Sequence, residues 1–265
     1  MVVPCHTIPL GLDSCGLHSS GTRQCIDFFG VSPMKKYIHC FWQLYLIVAV
    51  IAVLLVAGGS RIITTMAEAQ PIQRTQIIVI DAGHGGEDGG AVSCTGVYES
   101  QINLEIALRL NALCHLLGFE TKMIRSTDVS VYTQGGTLAA KKASDLKNRV
   151  QMVNSMENGI LISIHQNTFS DSRYSGAQVF YAHTSGSMEL ARQVQQQITA
   201  IDPQNHRRVK PANHVYLMQH IQRPGILVEC GFLSNPQEEA KLRSAEFQKK
   251  LCAAIVSTLS CIGKT

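Results

Sequence analysis

Short apolar runs alternate with amphipathic segments from residue 76 onward, and this alternation constrains the fold more than any other feature of the chain. Five runs are short and almost free of charge, which predicts buried strands at residues 77–80, 121–124, 160–164, 178–181 and 226–228. Helical spacing predicts helices at residues 99–117, 145–157 and 188–201, and a last one after Asn235-Pro236. Strands that alternate with helices favour an α/β fold, with an open, mostly parallel sheet covered by helices on both faces.

An uncharged run, FWQLYLIVAVIAVLLVAGG, occupies residues 41–59 ahead of this region. It approaches the roughly 20 apolar residues that span a bilayer, so we expect an N-terminal transmembrane helix at residues 40–59. Lys35 and Lys36 precede the run, which favours a cytoplasmic N-terminus and an exported C-terminal part. The alternative is a cleaved signal segment, with Ala67-x-Ala69 as the cleavage pattern.

These features divide the chain into four parts. Residues 1–39 are expected to form a cytoplasmic tail, and Met34-Lys35-Lys36 resembles a start site, so residues 1–33 could lie upstream of the true initiator. The transmembrane segment follows, and residues 60–75 are polar and irregular, as in a stalk. Residues 76–262 then form one domain, whose length suffices for a sizeable core.

Composition excludes some classes of protein. The hydrophobic share of 45% and the charged share of 16% argue against a disordered chain. A net charge of +4 is a weak argument for nucleic acid, which we do not expect as a partner, and suits a membrane or cell wall equally well. The five cysteines after residue 59 include no CxxC pair, so neither a disulfide framework nor a cysteine-rich zinc site is expected.

Polar residues follow three predicted strands at the point where each strand ends. The first strand runs into His84, the third into His165 and the fifth into Glu229, while Glu99 opens a helix. The carboxyl ends of parallel strands meet at one edge of a sheet, so these four side chains should converge there. Histidine and carboxylate are the ligands of catalytic zinc, which keeps one position for water. The pattern therefore favours a catalytic metal site.

Other interpretations of these residues are weaker. Taken singly, Glu99 suits the first turn of any helix, and His165 could be an ordinary buried histidine. The glycine-rich stretch at residues 83–90 lacks the GKS or GKT ending of a Walker phosphate loop. Cys230 could be a thiol nucleophile, but side chains alternate along a strand, so Cys230 should face away if Glu229 faces the cleft.

Four ordered sequence blocks carry a family resemblance: VIDAGHGG, Glu99 followed by INL, SIHQN and LVECGFLSN. Together they resemble the zinc-dependent N-acetylmuramoyl-L-alanine amidases over residues 76–259. The resemblance implies that His84, Glu99 and His165 bind Zn²⁺ and that Glu229 is the catalytic carboxylate. It also implies that residues 76–262 are a catalytic domain that cleaves the amide between N-acetylmuramic acid and L-alanine in peptidoglycan.

Finer features of the resemblance concern cellular role and substrate contacts. The N-terminal anchor, SGAQVFY and VYLMQ are similar to the germination-specific amidases of spore-forming bacteria, which implies a role in the spore cortex. Arg125-x-x-Asp128 and Arg149 also match the family, whereas Ala82 stands where proline is usual. Apart from the resemblance, Asn167, Arg207 and Arg208 are weak candidates for substrate binding; the alternatives are a local turn residue for Asn167 and a solvated loop for the two arginines.

One alternative function, and the identity of any protein partner, stay open at the level of sequence. The chain could be a non-catalytic wall-binding or regulatory module that keeps the fold. Such a module could lose a ligand or the base, whereas all four positions are intact here. The sequence gives no indication of which protein, if any, activates the enzyme.

Overall fold

The computed structural model describes residues 41–55 and 76–262. Residues 41–55 form helix α1, and the side chains along it are exposed. In these two stretches, no helix is both long and apolar enough to cross a bilayer. The predicted tail at residues 1–39 and stalk at residues 60–75 lie outside the described residues. The other elements belong to one compact unit, Ile72–Thr265.

A six-stranded sheet forms the centre of this unit. Its strands are β1 (Ile77–Ala82), β2 (Glu120–Met123), β3 (Gly159–Asn167), β4 (Gln178–Tyr181), β5 (Lys210–Pro211) and β6 (Gly225–Phe232). They are arranged in the order β2-β1-β3-β6-β4-β5, and the first four in this order run parallel. Strand β4 is antiparallel to β6, and β5 is parallel to β4. The predicted α/β class with a mostly parallel sheet is confirmed.

Helices cover both faces of the sheet. They are α2 (Glu99–Leu116), α3 (Leu138–Asn154), α4 (Ser187–Ile201), α5 (Tyr216–His220), α6 (Pro236–Leu242) and α7 (Ala245–Ile262). On one face α2 and α4 pack against α7, and the buried core includes Ile80, Ile106, Leu110, Val194 and Ile255. On the other face α3 packs against α5, with a core that includes Val79, Val153, Leu161, Met218 and Leu227. Apolar strands buried on both sides explain the continuous apolar runs in the sequence.

Helix α3 begins seven residues earlier than the sequence pattern predicts, at Leu138 and not at residue 145. Thr137 caps it, because the threonine side chain accepts a hydrogen bond of 3.2 Å from the backbone N–H of Ala140. The segment from Thr127 to Ser144, which lies between the second predicted strand and this predicted helix, is therefore non-helical only as far as Thr137. This correction places Lys141 and Lys142 in the first turns of α3.

Two further differences concern short elements. Strand β5 and helix α5 were not predicted, and the single helix expected after Asn235-Pro236 is two helices, α6 and α7. The predicted start of α6 is confirmed, because the Asn235 side chain accepts hydrogen bonds from the backbone of Gln237 and Glu238. The break lies at residues 243–244, where neither glycine nor proline marks it in the sequence.

Candidate metal centre

The carboxyl edge of the parallel strands brings the four predicted residues together. His84 follows β1, His165 lies near the end of β3, Glu229 lies in β6 and Glu99 is the first residue of α2. His165 and Glu229 are register partners in the β3–β6 ladder. Paired residues of neighbouring strands project from the same face of a sheet, so both side chains reach the same side of the edge.

Two histidines and one carboxylate form a compact cluster there. The His84 Nε2 atom lies 3.3 Å from Glu99 Oε2, and His165 Nδ1 lies 3.1 Å from Glu99 Oε1. One ligand atom from each of the three residues lies within 4.8 Å of the other two. The imidazole rings are 5.1 Å apart and nearly perpendicular, at 75°. This is a donor set that can hold one metal ion from three sides.

Two glycines make this close approach possible. A Cβ atom added to Gly83 would lie 2.2 Å from Cε1 of His165, closer than non-bonded atoms can come. At Gly90, a Cβ would lie 2.7 Å from Oε2 of Glu99, and its φ of +70° is also unfavourable for other residues. The glycine-rich stretch that superficially resembles a phosphate loop therefore serves to pack the backbone against the cluster.

The turn that carries His84 is held in an uncommon conformation. His84 has a φ of +61°, in the left-handed region. The buried guanidinium of Arg125 donates to the carbonyls of Ala82 and Gly83 at 2.8 and 3.0 Å. Arg149 donates to the carbonyls of Ala82 and His84 at 3.0 and 2.8 Å. These two arginines satisfy the carbonyls that the turn removes from the sheet.

A buried ion pair lies directly beneath this turn. Arg149 also contacts Asp81 at 2.5 Å, and the exposed fractions of the two side chains are 3% and 1%. Burial alone would raise the pKa of Asp81, but the charges of Arg149 and His165 and a hydrogen bond from Ser163 lower it. Sequence reasoning identified Arg125 and Arg149 through the family resemblance alone, and missed Asp81 and Ser163.

Glu99 is fixed by neighbours on both carboxylate oxygens. Its Oε1 accepts hydrogen bonds of 3.1 Å from the Asn103 side chain and from the backbone N–H of Gln166. Its Oε2 accepts one of 3.0 Å from the backbone N–H of Ala91. Burial alone would raise the pKa of Glu99, but His165 and His84 outweigh it and hold the pKa far below its usual range. Glu99 is therefore a carboxylate at any ordinary pH, as a metal ligand must be.

The pKa of His84 is shifted in the opposite direction, because it carries the opposite charge. Burial alone would lower its pKa, but Glu99 and then Asp88 outweigh this and raise the pKa to about 9. Opposite charges thus crowd together at the site. A cation placed among these groups would replace the proton of His84 as the partner of Glu99.

Glu229 has a different environment. Its Oε2 atom is buried and accepts no hydrogen bond from the residues that the structure describes. Burial raises the pKa of Glu229 to about 7, the charge of Glu99 adds to the rise, and the two histidines oppose it. A buried carboxylate oxygen without a donor is costly unless a further group completes it. The residues therefore fit a site that takes a metal together with a water molecule or substrate.

A cleft opens beside the cluster. Its volume is about 260 Å³, and His84, Gly83 and His165 line one wall. The segment around Tyr132, the first turns of α3 and several apolar side chains also line the cleft. The cleft has room for a small part of an extended substrate next to the His-Glu-His cluster.

The three weaker substrate candidates do not line this cleft. Arg207 lies 4.4 Å above the Phe232 ring and donates to the carbonyl of Ser175 at 2.7 Å. The Arg208 side chain is exposed, and its carbonyl accepts from the Gln178 side chain. Asn167 ends β3, where its carbonyl accepts from Leu233 at 2.8 Å.

Cys230 is buried in the core on the side opposite the cleft, as expected from its place next to Glu229. Its Sγ atom lies 3.5 Å from the carbonyl of Val228. Burial raises the pKa of this thiol well above its usual value, so it is not a thiolate at neutral pH. The thiol-nucleophile alternative therefore has no structural support.

Comparisons with known proteins agree with this geometry. The family profile described as N-acetylmuramoyl-L-alanine amidase matches residues 78–261. The germination-specific N-acetylmuramoyl-L-alanine amidase of Bacillus subtilis is 36% identical over 182 residues, which cover 68% of this chain and 76% of that protein. The amidase LytC of Bacillus subtilis is 31% identical, and the match covers 68% of this chain and 34% of LytC.

A solved amidase structure is also similar to this chain. The CwlD amidase from Clostridioides difficile, in complex with the GerS lipoprotein, superimposes with a TM-score of 0.67 at 36% identity. The match covers 70% of this chain and 99% of that chain. The order of the four sequence blocks, the converging His-Glu-His cluster and these matches lead to one conclusion: the chain belongs to the N-acetylmuramoyl-L-alanine amidase family.

Proposed function

We propose that this amidase holds Zn²⁺ between His84, Glu99 and His165 and uses Glu229 as its general base. The bond it cleaves is the amide between the lactyl group of N-acetylmuramic acid and L-alanine in peptidoglycan. The observation that carries the proposal is a cluster of three potential ligands beside Glu229, whose buried Oε2 atom has no hydrogen-bond donor among the described residues. Two imidazoles and one carboxylate are a ligand set of catalytic zinc in hydrolases.

The chain's own residues then have distinct tasks. When bound, zinc lowers the pKa of a water molecule and polarises a carbonyl group. Glu229 takes the proton from the attacking water and returns it to the amide nitrogen as that nitrogen leaves. Burial raises the pKa of Glu229 to about 7 in the metal-free site, and a bound Zn²⁺ would lower this pKa, so Glu229 would be ionised and able to accept the proton at neutral pH. Arg125 and Arg149 keep the His84 turn rigid, so that the ligands need little rearrangement.

Glu229→Gln tests the assignment, because the amide keeps the size of glutamate and removes the proton acceptor. We expect normal folding and normal zinc content, with a fall in peptidoglycan hydrolysis of about 100-fold or more. Release of peptides with an N-terminal L-alanine from purified cell wall measures the activity. Near-normal hydrolysis by this variant would contradict the mechanism. Zinc-loaded wild-type protein without any activity would favour the non-catalytic alternative.

We also propose that residues 40–59 anchor the chain in a membrane, with the catalytic domain exported toward the cell wall or spore cortex. The uncharged run and the preceding lysine pair support this orientation. External protease should digest the catalytic domain on intact protoplasts, while a cytoplasmic control protein survives. Complete protection would contradict it, and a mature N-terminus at Gln70 would indicate a cleaved signal segment.

Similarity to the germination-specific amidase supports a role in maturation of the spore cortex. The CwlD structure contains a lipoprotein, so we propose a membrane-associated lipoprotein partner for this chain as well. Deletion of the gene in its spore-forming host should leave the stem peptides on cortex muramic acid. An unchanged cortex would contradict the spore role without affecting the assignment of the reaction.

A further inference from the structure

Asp88 contacts one of the proposed zinc ligands from the side away from the metal. Its Oδ2 atom lies 2.9 Å from Nδ1 of His84, while the other ring nitrogen of His84 faces Glu99. The two nitrogens of this imidazole therefore have separate tasks. A neutral imidazole carries its proton on one nitrogen and offers a lone pair on the other, so the partner of Nδ1 decides what Nε2 can do.

The other oxygen of Asp88 is held from two sides. Oδ1 lies 2.7 Å from Nζ of Lys142, in the first turns of α3, and accepts a hydrogen bond of 3.3 Å from the backbone N–H of Gly90. Asp88 is therefore oriented by Lys142 and Gly90, neither of which is a proposed metal ligand. Its carboxylate has little freedom to turn away from His84.

We infer that Asp88 is a positioning residue that keeps the Nδ1 proton of His84 and thereby directs the Nε2 lone pair to the metal. The inference rests on the proposed zinc role of His84. A carboxylate behind a histidine ligand fixes the tautomer and the orientation of the ring, and it makes the ligating nitrogen more basic. Neither the sequence pattern nor the family resemblance assigned a role to Asp88.

The neighbouring residue Glu87 provides a matched control. It also carries a negative charge and pairs with a lysine of α3, because its Oε1 lies 2.7 Å from Nζ of Lys141. Its side chain contacts Lys141 and Tyr132, and neither of these is a proposed metal ligand. Glu87→Gln and Asp88→Asn thus each remove one negative charge, at adjacent positions. Of the two, Asp88→Asn changes the side chain that contacts His84.

The experiment compares the zinc affinity of three full-length proteins in mild detergent: wild type, Asp88→Asn and Glu87→Gln. Zn²⁺ is titrated against a coloured chelator of known affinity. We expect Asp88→Asn to bind zinc about 10- to 100-fold more weakly than wild type, the usual effect of losing such an outer partner. Glu87→Gln should stay within about threefold of wild type.

A second measurement separates positioning from general loosening of the loop. Long-range ¹H–¹⁵N correlation spectra of the zinc-loaded proteins report which nitrogen of His84 carries the proton. We expect a single Nδ1–H form in wild type and a mixture or a rotated ring in Asp88→Asn. Circular dichroism verifies the fold, and Asp88→Ser, with the same expected loss of affinity, replaces the Asn variant if that variant does not fold.

The outcomes distinguish the inference from the function on which it rests. Equal zinc affinity in Asp88→Asn and wild type would overturn the positioning role and leave the zinc site intact. Equal losses in Asp88→Asn and Glu87→Gln would assign the effect to charge alone and also overturn it. A wild-type protein that binds no zinc would instead refute the proposed function.

Discussion

At the residue scale, the two glutamates of the site show how surroundings determine the behaviour of one side-chain type. Glu99 faces both histidines and accepts three hydrogen bonds, so its pKa is lowered and it stays charged. Burial raises the pKa of Glu229 to about 7, and its Oε2 atom has no hydrogen-bond donor among the residues that the structure describes. The first environment suits a metal ligand, and the second suits a group that exchanges a proton.

This contrast predicts opposite metal contents for two equivalent substitutions. Glu99→Gln removes a negatively charged ligand, so zinc affinity should fall by more than the roughly 10- to 100-fold that loss of an outer partner costs. Glu229→Gln should retain zinc at wild-type affinity. Chelator competition and metal analysis of both purified variants measure the difference. The reverse result would make Glu229 a ligand and Glu99 the candidate base.

The convergence of the four central residues could be predicted from sequence, because each follows a predicted strand or opens a predicted helix at one edge of the sheet. The residues that support them could not be predicted in the same way. Arg125 and Arg149 act on backbone carbonyls at positions 82–84, far away in the sequence. A contact from a side chain to a distant carbonyl leaves no local periodicity, so the family resemblance was the only available signal for these arginines.

At the scale of elements, length and burial decided which predictions succeeded. The central strands are short continuous apolar runs because both of their faces are buried, and the long helices have helical spacing of apolar residues because one face is buried. Strand β5 has two residues, both exposed, and α5 has five, which is too short for a periodic pattern. Thr137 was not recognised as a cap, and the start of α3 was therefore placed too late.

The ion pair between Asp81 and Arg149 joins the end of β1 to α3, and it predicts a large stability effect. Arg149→Met leaves Asp81 buried without its partner, so the free energy of unfolding should fall by about 3–5 kcal/mol. Lys250→Gln is the control, because it breaks the pair between Lys250 and Glu246, both exposed, and should cost below about 1 kcal/mol. Urea unfolding followed by circular dichroism measures both. Equal effects would show that the buried pair has no special role.

At the scale of the whole catalytic unit, the proposed metal joins parts of the chain that meet only in the folded state. Its ligands come from the loop after β1, the start of α2 and the end of β3, so the unfolded chain offers no preformed site. Zinc binding is therefore linked to folding. The same cluster also binds a proton at His84 when no metal is present, with a pKa of about 9.

These two linkages predict how stability depends on pH. In metal-free protein the folded-state pKa of His84 lies above its ordinary value of 6.5, so the protonated pair with Glu99 stabilises the fold fully below pH 6.5. That contribution is lost as pH rises through about 9. Zinc replaces the proton and binds better as pH rises, and at free zinc about 1,000 times its Kd it adds roughly 4 kcal/mol. The difference in melting temperature between zinc-loaded and chelator-treated protein should therefore widen from pH 6 to pH 9. His84→Ala is the control and should show little difference at any pH, whereas a wild-type difference that narrows as pH rises would contradict binding of zinc in place of the His84 proton.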